Sequence, residues 1–365
     1  MMKDSPIDGR QMIEPLPIAK GQKVNDFVDK VFAKSGYNAR RLGEACKLYK
    51  KMLNEDVTVC LTLAGAMTPI GMSGPIIKLI ENGFVDWIIS TGANLYHDLH
   101  RTFNYPMVQG DFRADDDHLY KHGIARIYDV FVADDDTLFE TDQVIRRAIK
   151  NQKLPKKFST ADLHYAFGKE VLETAPNPEK SILAAAAKHN VPIYCSSPGD
   201  SSIGMNLTIP FIFGKEVDVS TTLDVLETAA IVKHSKKNGA IEVGGGSPKN
   251  FFMQTQPTLW QILYQEKGGH DYFIQLTIDS PQWGGLSGAT PQEAKSWGKV
   301  KEADINNVVV YSCASLTFPI LCQYVEESCK KKKSKELYVK KKEFTDELIK
   351  TGRQMEKIKK LYESA

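Results

Sequence analysis

A series of short apolar runs, separated by stretches long enough for a helix, restricts this chain more than any other feature of it. The runs at 57–64, 85–90, 126–132, 191–195, 240–243, 272–278 and 308–312 are β-branched or otherwise apolar and are bounded by turn-forming residues, which is how buried strands read. Helical patterns at 73–82, 179–189 and 221–237 lie between them, each long enough to cross over between parallel strands. The pattern predicts an α/β fold built on a doubly wound, mostly parallel sheet with helices on both faces.

In such sheets ligands collect at the carboxyl ends of the strands, where glycine turns let the backbone approach a phosphate or a ribose. Three turns fit that place: Leu63-Ala64-Gly65-Ala66-Met67-Thr68-Pro69-Ile70-Gly71, Ser90-Thr91-Gly92-Ala93-Asn94 and Gly244-Gly245-Gly246-Ser247-Pro248-Lys249. None has the Gly-x-Gly-x-x-Gly spacing. Each alone reads as a structural turn, but three at strand ends are better explained by a shared ligand.

With 365 residues, 42% of them hydrophobic, the chain can bury a substantial core. A net charge of +2 from 47 basic and 45 acidic residues gives no global field for nucleic acid or an anionic membrane. The cysteines at 46, 60, 195, 313, 322 and 329 form no Cys-x-x-Cys pair, so reduced thiols in the cytoplasm are expected. Residues 1–20 hold no apolar signal core, and no run reaches the roughly 20 apolar residues of a membrane span. Residues 1–55 read as an N-terminal helical extension with a helix at 40–53, and 56–327 as the main domain. Residues 328–365 read as a charged C-terminal helical extension. There Lys330 to Lys333 precede Leu337, Phe344, Leu348, Met355 and Ile358, the spacing of a solvated amphipathic helix rather than of an RNA-binding tail.

Lys299 closes the run Ser296-Trp297-Gly298-Lys299, after the glycine-rich Trp283-Gly284-Gly285-Leu286-Ser287-Gly288. A lysine flanked by tryptophan and glycine can lose its hydration shell. That lowers its pKa from about 10.4 toward roughly 7 to 8 and makes it a nucleophile for carbonyls or imines. The alternative is a surface lysine ending a helix. His97, His100, His118 and His122, with Asp115 to Asp117, can be drawn as a metal site, but their spacing is not specific, and no metal is expected. Asp134 to Asp136 read as a solvated loop that caps a helix starting near Thr137.

The segments Val243 to Lys249, Ser287-Gly288, Glu293-Ala294-Lys295-Ser296-Trp297-Gly298-Lys299 and Ala314-Ser315-Leu316-Thr317-Phe318-Pro319 together resemble deoxyhypusine synthase, in a consistent order from about Asp56 to Glu327. The most specific part is Glu-Ala-x-Ser-Trp-Gly-Lys. The resemblance implies a Rossmann-like domain, NAD as cofactor, and a homotetramer with active sites shared between paired subunits. It implies that hydride leaves the carbon beside the secondary amine of spermidine and that Lys299 captures the resulting 4-aminobutyl imine. An acceptor amine, in the family a protein lysine, then displaces Lys299, and the retained NADH reduces the new imine. This chemistry needs a neutral lysine, a dry pocket and a cofactor that stays bound.

Carried over by position, the NAD contacts fall on Gly65, Ala66, Met67, Thr68 and Pro69, on Thr91, Gly92 and Ala93, and on Asp200, Gly245, Ile278, Asp279, Cys313 and Ala314. Cys313 replaces an acid, and a buried, inert thiol is expected there. Glu293 and Trp297 match residues that would hold a cationic amine. Asn250 and the turn Trp283, Gly284, Gly285 and Leu286 fall in the substrate region, where the sequence departs from the family. Tyr96 and His97 stand at paired-acid positions before Asp98, Met205 and the residues Trp283 and Leu286 stand where the family has aspartates, and Asn250 replaces a histidine. A desolvated ammonium without a carboxylate costs several kcal/mol, so the substrate stays open: a polyamine held by other groups, or a shorter diamine. If the 96–98 segment enters the pocket, His97 can accept the proton released on amine oxidation; otherwise it orients or packs. Expected partners are a small-molecule polyamine and a protein lysine acceptor, with no nucleic acid and no membrane. Alternatives are a homospermidine synthase-like activity on free diamines and a non-catalytic NAD-binding homologue.

Overall fold

The computed structural model describes residues 7, 9–215, 217–302 and 305–364. Strands β1 (Thr58–Leu63), β2 (Trp87–Ser90), β3 (Ile193–Cys195), β4 (Asn238–Val243), β5 (Tyr272–Thr277) and β6 (Asn307–Tyr311) make a six-stranded sheet in the order β6-β5-β4-β1-β2-β3. Every pairing in it is parallel. The chain runs from β1 to one edge, then restarts beside β1 at β4 and runs to the other edge. That reversal puts the topological switch point between β1 and β4.

The helices that matter for the site are α1 (Tyr37–Asn54), α2 (Ser73–Glu81), α3 (Gly92–Thr102), α4 (Glu140–Asn151), α5 (Thr160–Thr174), α6 (Ile182–Lys188), α7 (Thr221–His234), α8 (Gly246–Pro257), α9 (Pro291–Ser296), α10 (Ala314–Ser328) and α11 (Leu337–Gln354). Every residue of β1, β4 and β5 is buried, because alternate side chains enter different cores. Val59, Leu61 and Leu63 pack with Tyr49 and Met52 of α1, Ile76 and Ile80 of α2, and Phe318 and Leu321 of α10. On the opposite face Cys60, Trp87, Tyr194 and Phe273 pack with Ile231 and Val232 of α7 and Phe252 of α8. The expected doubly wound sheet is therefore present.

Residues 126–132 do not join it. Tyr128 turns the chain at φ 56°, so Ile124–Ile127 and Val130–Ala133 form an antiparallel hairpin, extended by Met107–Gln109. Val130 and Val132 are buried while their neighbours are only partly so, the alternation of a sheet with one solvated face. Asp134–Phe139 is a wide π-helical turn rather than an irregular loop; Asp135 and Asp136 are exposed as expected, and buried Thr137 donates to the Pro106 carbonyl at 2.8 Å.

The helix expected near the C-terminus is amphipathic, but its inner face is docked. Leu337 and Leu348 of α11 enter the second core, and buried Lys341 lies 2.6 Å from Glu227 and 2.9 Å from Asp162. Among the described residues no helix is long and apolar enough to cross a membrane.

Candidate active site at the switch point

The turn after β1 and the triple-glycine turn after β4 face each other across the switch point. Gly65 and Gly244 hold φ of 64° and 81°, which only glycine adopts freely, and a Cβ on Gly244 would lie 3.1 Å from that of Ala64. Asn94, buried in α3, fixes the first turn. Its Oδ1 accepts the N–H groups of Met67 (2.6 Å) and Thr68 (3.2 Å), and its Nδ2 donates to the Gly65 carbonyl (3.2 Å) and to Thr91 Oγ1 (3.0 Å). Thr91 Oγ1 donates to the same Gly65 carbonyl at 2.6 Å. Arg101 donates to the carbonyls of Thr68 (2.6 Å) and Pro69. Gly65 to Pro69 and Thr91 to Ala93 thus form one hydrogen-bonded unit.

The remaining predicted cofactor residues lie on neighbouring strand ends. A Cβ on Gly92 would fall 2.3 Å from Ser201, so the loop bearing exposed Asp200 packs on the start of α3. Gly246 N–H donates to Ser287 Oγ at 2.9 Å, and Ser247 and Ser196 hydroxyls are 2.7 Å apart. Gly245 sits at this turn; Ile278 and Asp279 follow β5, and Cys313 and Ala314 follow β6. Cys313 is exposed, contrary to the buried thiol expected, because it is the residue that starts α10 beyond the end of the sheet. Its hydrogen bonds with Ser315 bring the thiol below its ordinary range.

Lys299 is presented by α9 and the turn after it. Thr290 Oγ1 accepts the Glu293 N–H at 3.2 Å to cap that helix, and Gly298 turns at φ 65°. Lys299 N–H then donates to the Ala294 carbonyl (3.0 Å), while its own carbonyl accepts from His270 N–H (2.9 Å). The ammonium stands 5.5 Å from the centre of the Trp297 ring, within cation–π range. Burial pulls the amine below the usual lysine value, and Glu293 works in the opposite sense. The lysine is half-buried, and Trp297 and Trp283 are 58% and 73% exposed. A single chain therefore brings the lysine, aromatic ring and carboxylate together without sealing them from water.

Where the family pattern has acids, this surface is apolar. Trp283, Leu286 and Met205 are exposed, Gly284 and Gly285 form the turn between the first two, and Asn250 lies in α8. Tyr96 and His97 point into helix packing. Tyr96 OH donates to the Leu138 carbonyl and to Asp142 (3.0 and 3.1 Å), and the His97 ring contacts His100 (2.9 Å), which reaches Thr141 (2.6 Å). None of these contacts reaches Lys299. Asp98, also buried, accepts from Ser181 Oγ, Ile182 N–H and Leu183 N–H at 2.6 to 3.1 Å and so caps α6. The His118 and His122 rings lie 4.2 Å apart, tilted by 42°, and no cluster of three or more metal-ligating side chains occurs among the described residues.

Asn94 and Lys249 lie in turns that stand out in the sequence, but their roles do not, nor do those of Arg101, which shapes the first turn with Asn94, and of Glu242 and Gln275, which are buried with Lys249. Their only signal is a polar residue set in an apolar run or beside a glycine turn.

The geometry defines a doubly wound α/β protein with facing glycine turns at the switch point and a half-buried lysine in a turn whose backbone pairs with His270 just before β5. The chain belongs to the deoxyhypusine synthase family: the family model described as Deoxyhypusine synthase matches residues 28–325. A "Deoxyhypusine synthase-like protein" of Nostoc punctiforme is 43% identical over 350 residues, covering 93% of this chain and 89% of that protein. "Probable deoxyhypusine synthase 2" of Methanosarcina mazei is 38% identical over 314 residues, covering 86% and 89%. A solved Entamoeba histolytica structure named for deoxyhypusine synthase shares the fold at a TM-score of 0.56 and 18% identity, covering 86% of this chain and 96% of that one.

Proposed function

We propose that this chain is an NAD-dependent transferase that moves a 4-aminobutyl group from a spermidine-like polyamine to an acceptor amine through an imine on Lys299. The observation that carries the reading is the half-buried Lys299 amine beside Trp297 and Glu293, in the segment where the family resemblance is most specific. NAD would be held at the switch-point turns, where it would supply the hydride acceptor for the carbon beside the substrate nitrogen and the reductant for the product. The turns at 65–69, 91–93 and 244–246 suit it: a Cβ added to Gly65 would meet nothing within 4 Å, so that backbone faces open space. Asp200, Ile278, Asp279, Cys313 and Ala314 complete the rim.

Lys299 attacks the oxidised carbon as a free amine; the bond to the departing amine breaks, and that amine leaves with a proton. The acceptor amine then attacks the same carbon and releases Lys299. The Trp297 face and the Glu293 carboxylate hold the cationic end of the chain. Residues 56–327 are the catalytic unit and 1–55 and 328–365 are extensions to it, in a cytoplasmic homotetramer whose acceptor is a protein lysine. Exposed Trp283, Leu286 and Met205 at the acidic positions of the family favour a second reading, in which the acceptor is a free diamine and the product is homospermidine.

The test is incubation with NAD and spermidine, borohydride reduction, and peptide mass spectrometry. An aminobutyl adduct is expected on Lys299 and none in Lys299→Arg, whose turnover is lost. Undiminished turnover in that variant removes the lysine from the mechanism. Homospermidine formed from putrescine without any protein acceptor selects the second reading.

A further inference from the structure

The segment that carries Lys299 is pinned to the sheet just before β5. His270 and Val300 pair there as a parallel bridge: His270 N–H donates to the Lys299 carbonyl, and the His270 carbonyl accepts from Lys301 N–H, both at 2.9 Å. One residue thus bonds to both neighbours of its partner, the pattern of a parallel ladder, and Val300 between them is buried in the second core. Gly269 allows the close approach, since a Cβ there would lie 2.6 Å from the Lys301 nitrogen. A turn held on both sides of Val300 fixes the point and the direction at which the Lys299 side chain leaves the backbone.

The ring of His270 seats this bridge. It is 2% exposed and lies nearly parallel to Phe252 of α8, with 4.0 Å between ring centres. Its Nδ1 is hydrogen-bonded to the Asn238 side chain at the start of β4 and lies 3.4 Å from the Gln256 amide of α8, whose Oε1 accepts the Gly269 N–H at 3.1 Å. Burial pushes the ring down to about 3, so it stays neutral and no proton transfer is asked of it. A polar ring in an apolar core costs stability unless it is bonded, and the bond fixes its orientation as contact alone would not. Resting on the reading of Lys299 as the reactive amine, we propose that His270 is a positioning residue for it: the ring, held by Asn238, Gln256 and Phe252, sets the bridge, and the bridge sets where Lys299 stands over the Trp297 ring. The proposed cofactor turns follow β1 and β4, whereas His270 precedes β5. Loss of the ring is therefore expected to disturb Lys299 and leave NAD binding intact, while a side chain that served only stability would weaken both.

The experiment compares the full-length wild type with His270→Ala, His270→Asn and Asn238→Ala, each checked for folding by circular dichroism. Three quantities are read: amide hydrogen exchange of peptides within 294–301 in the absence of any ligand, the affinity for NAD by fluorescence titration, and the rate at which a borohydride-trapped adduct forms on Lys299 at saturating NAD and spermidine. In His270→Ala the 294–301 amides are expected to exchange about tenfold faster and the trapping rate to fall about tenfold, with NAD affinity at the wild-type value. His270→Asn, whose amide stands where Nδ1 does, is expected to recover most of both. Wild-type exchange in His270→Ala overturns the proposal, as does faster exchange with undiminished trapping, or a loss shared equally by NAD affinity and by peptides throughout the chain. Should His270→Ala not fold, Asn238→Ala, which removes the partner and leaves the ring, must show the same local loss or the proposal fails. Exchange needs no substrate: a protein whose 294–301 amides respond as expected but whose wild type forms no adduct loses the transferase reading, and one that forms the adduct with unaltered exchange in His270→Ala loses this one.

Discussion

Gly245 leaves no room for a side chain, since an added Cβ would lie 2.5 Å from the Ser287 Cα. The obstacle is backbone, so Gly245→Ala must push the 285–289 segment away and break the Gly246 to Ser287 hydrogen bond. The variant is expected to lose about 1–3 kcal/mol of stability, seen as a lower urea midpoint at unchanged slope, and to bind NAD more weakly in a fluorescence titration. A wild-type midpoint would mean that the turn yields freely. At this scale the candidate site residues that stand out in the sequence are those on turns. Lys299, Trp297 and Glu293 were legible because a charged or aromatic residue beside glycine stands out from its surroundings. Glu242 and Asn94 were not: their burial is decided by strands and turns distant in sequence, and a single polar residue leaves a periodic apolar run intact.

Elements were legible where both faces are buried. The runs that became β1 to β5 are buried along their whole length, as a parallel sheet covered on both faces demands, whereas β6 at the edge is mostly half-buried. The run at 126–132 has β-branched and aromatic residues like the others but carries Arg126 and Asp129, and the left-handed Tyr128 beside Asp129 turns it into a hairpin. Helix α3 shows what packing adds. Burial, with His97 and Arg101 nearby, pushes His100 down to about 3, and burial, with Arg101, pushes His97 down to about 4. Both folded values lie below the unfolded value of about 6.5, so the unfolded chain binds the extra protons. Their contribution to stability is complete above that value and is lost as pH falls from it toward 4 and 3, at up to about 1.4 kcal/mol per pH unit for each ring. Urea unfolding at a series of pH values measures this loss directly. Replacing one ring, as in His100→Gln, removes one titrating group from the balance and is expected to flatten the fall of stability with acidification between about pH 6 and 4. An unchanged slope would mean that His100 is protonated in the folded chain.

At the scale of the whole molecule, the proposed reaction requires water to be kept from an imine, yet one chain leaves Lys299 half-open. Single exposed apolar residues are ordinary. Here Ile278, Trp283, Leu286 and Leu316 are exposed on segments that follow β5 and β6, at the carboxyl end of the sheet, and Trp297 is exposed beside Lys299. Aromatic side chains are enriched in protein interfaces, and a stable one buries about 1,600 Å² in total. A second copy of the chain laid over these segments would cover the surface beside Lys299, in keeping with the shared active sites that the family resemblance implies. The wild type is expected to sediment as an oligomer. Trp283→Glu, by placing a charge in the covered face, should shift it to smaller species by light scattering. Without the cover water reaches the imine, so borohydride trapping on Lys299 should fall about tenfold in dilute solution, the equivalent of about 1.4 kcal/mol, and recover as protein concentration rises. Mass action links the two readouts: a variant that stays assembled and still loses trapping has a fault local to the pocket, whereas one that dissociates and traps as before shows that a single chain shields its own lysine.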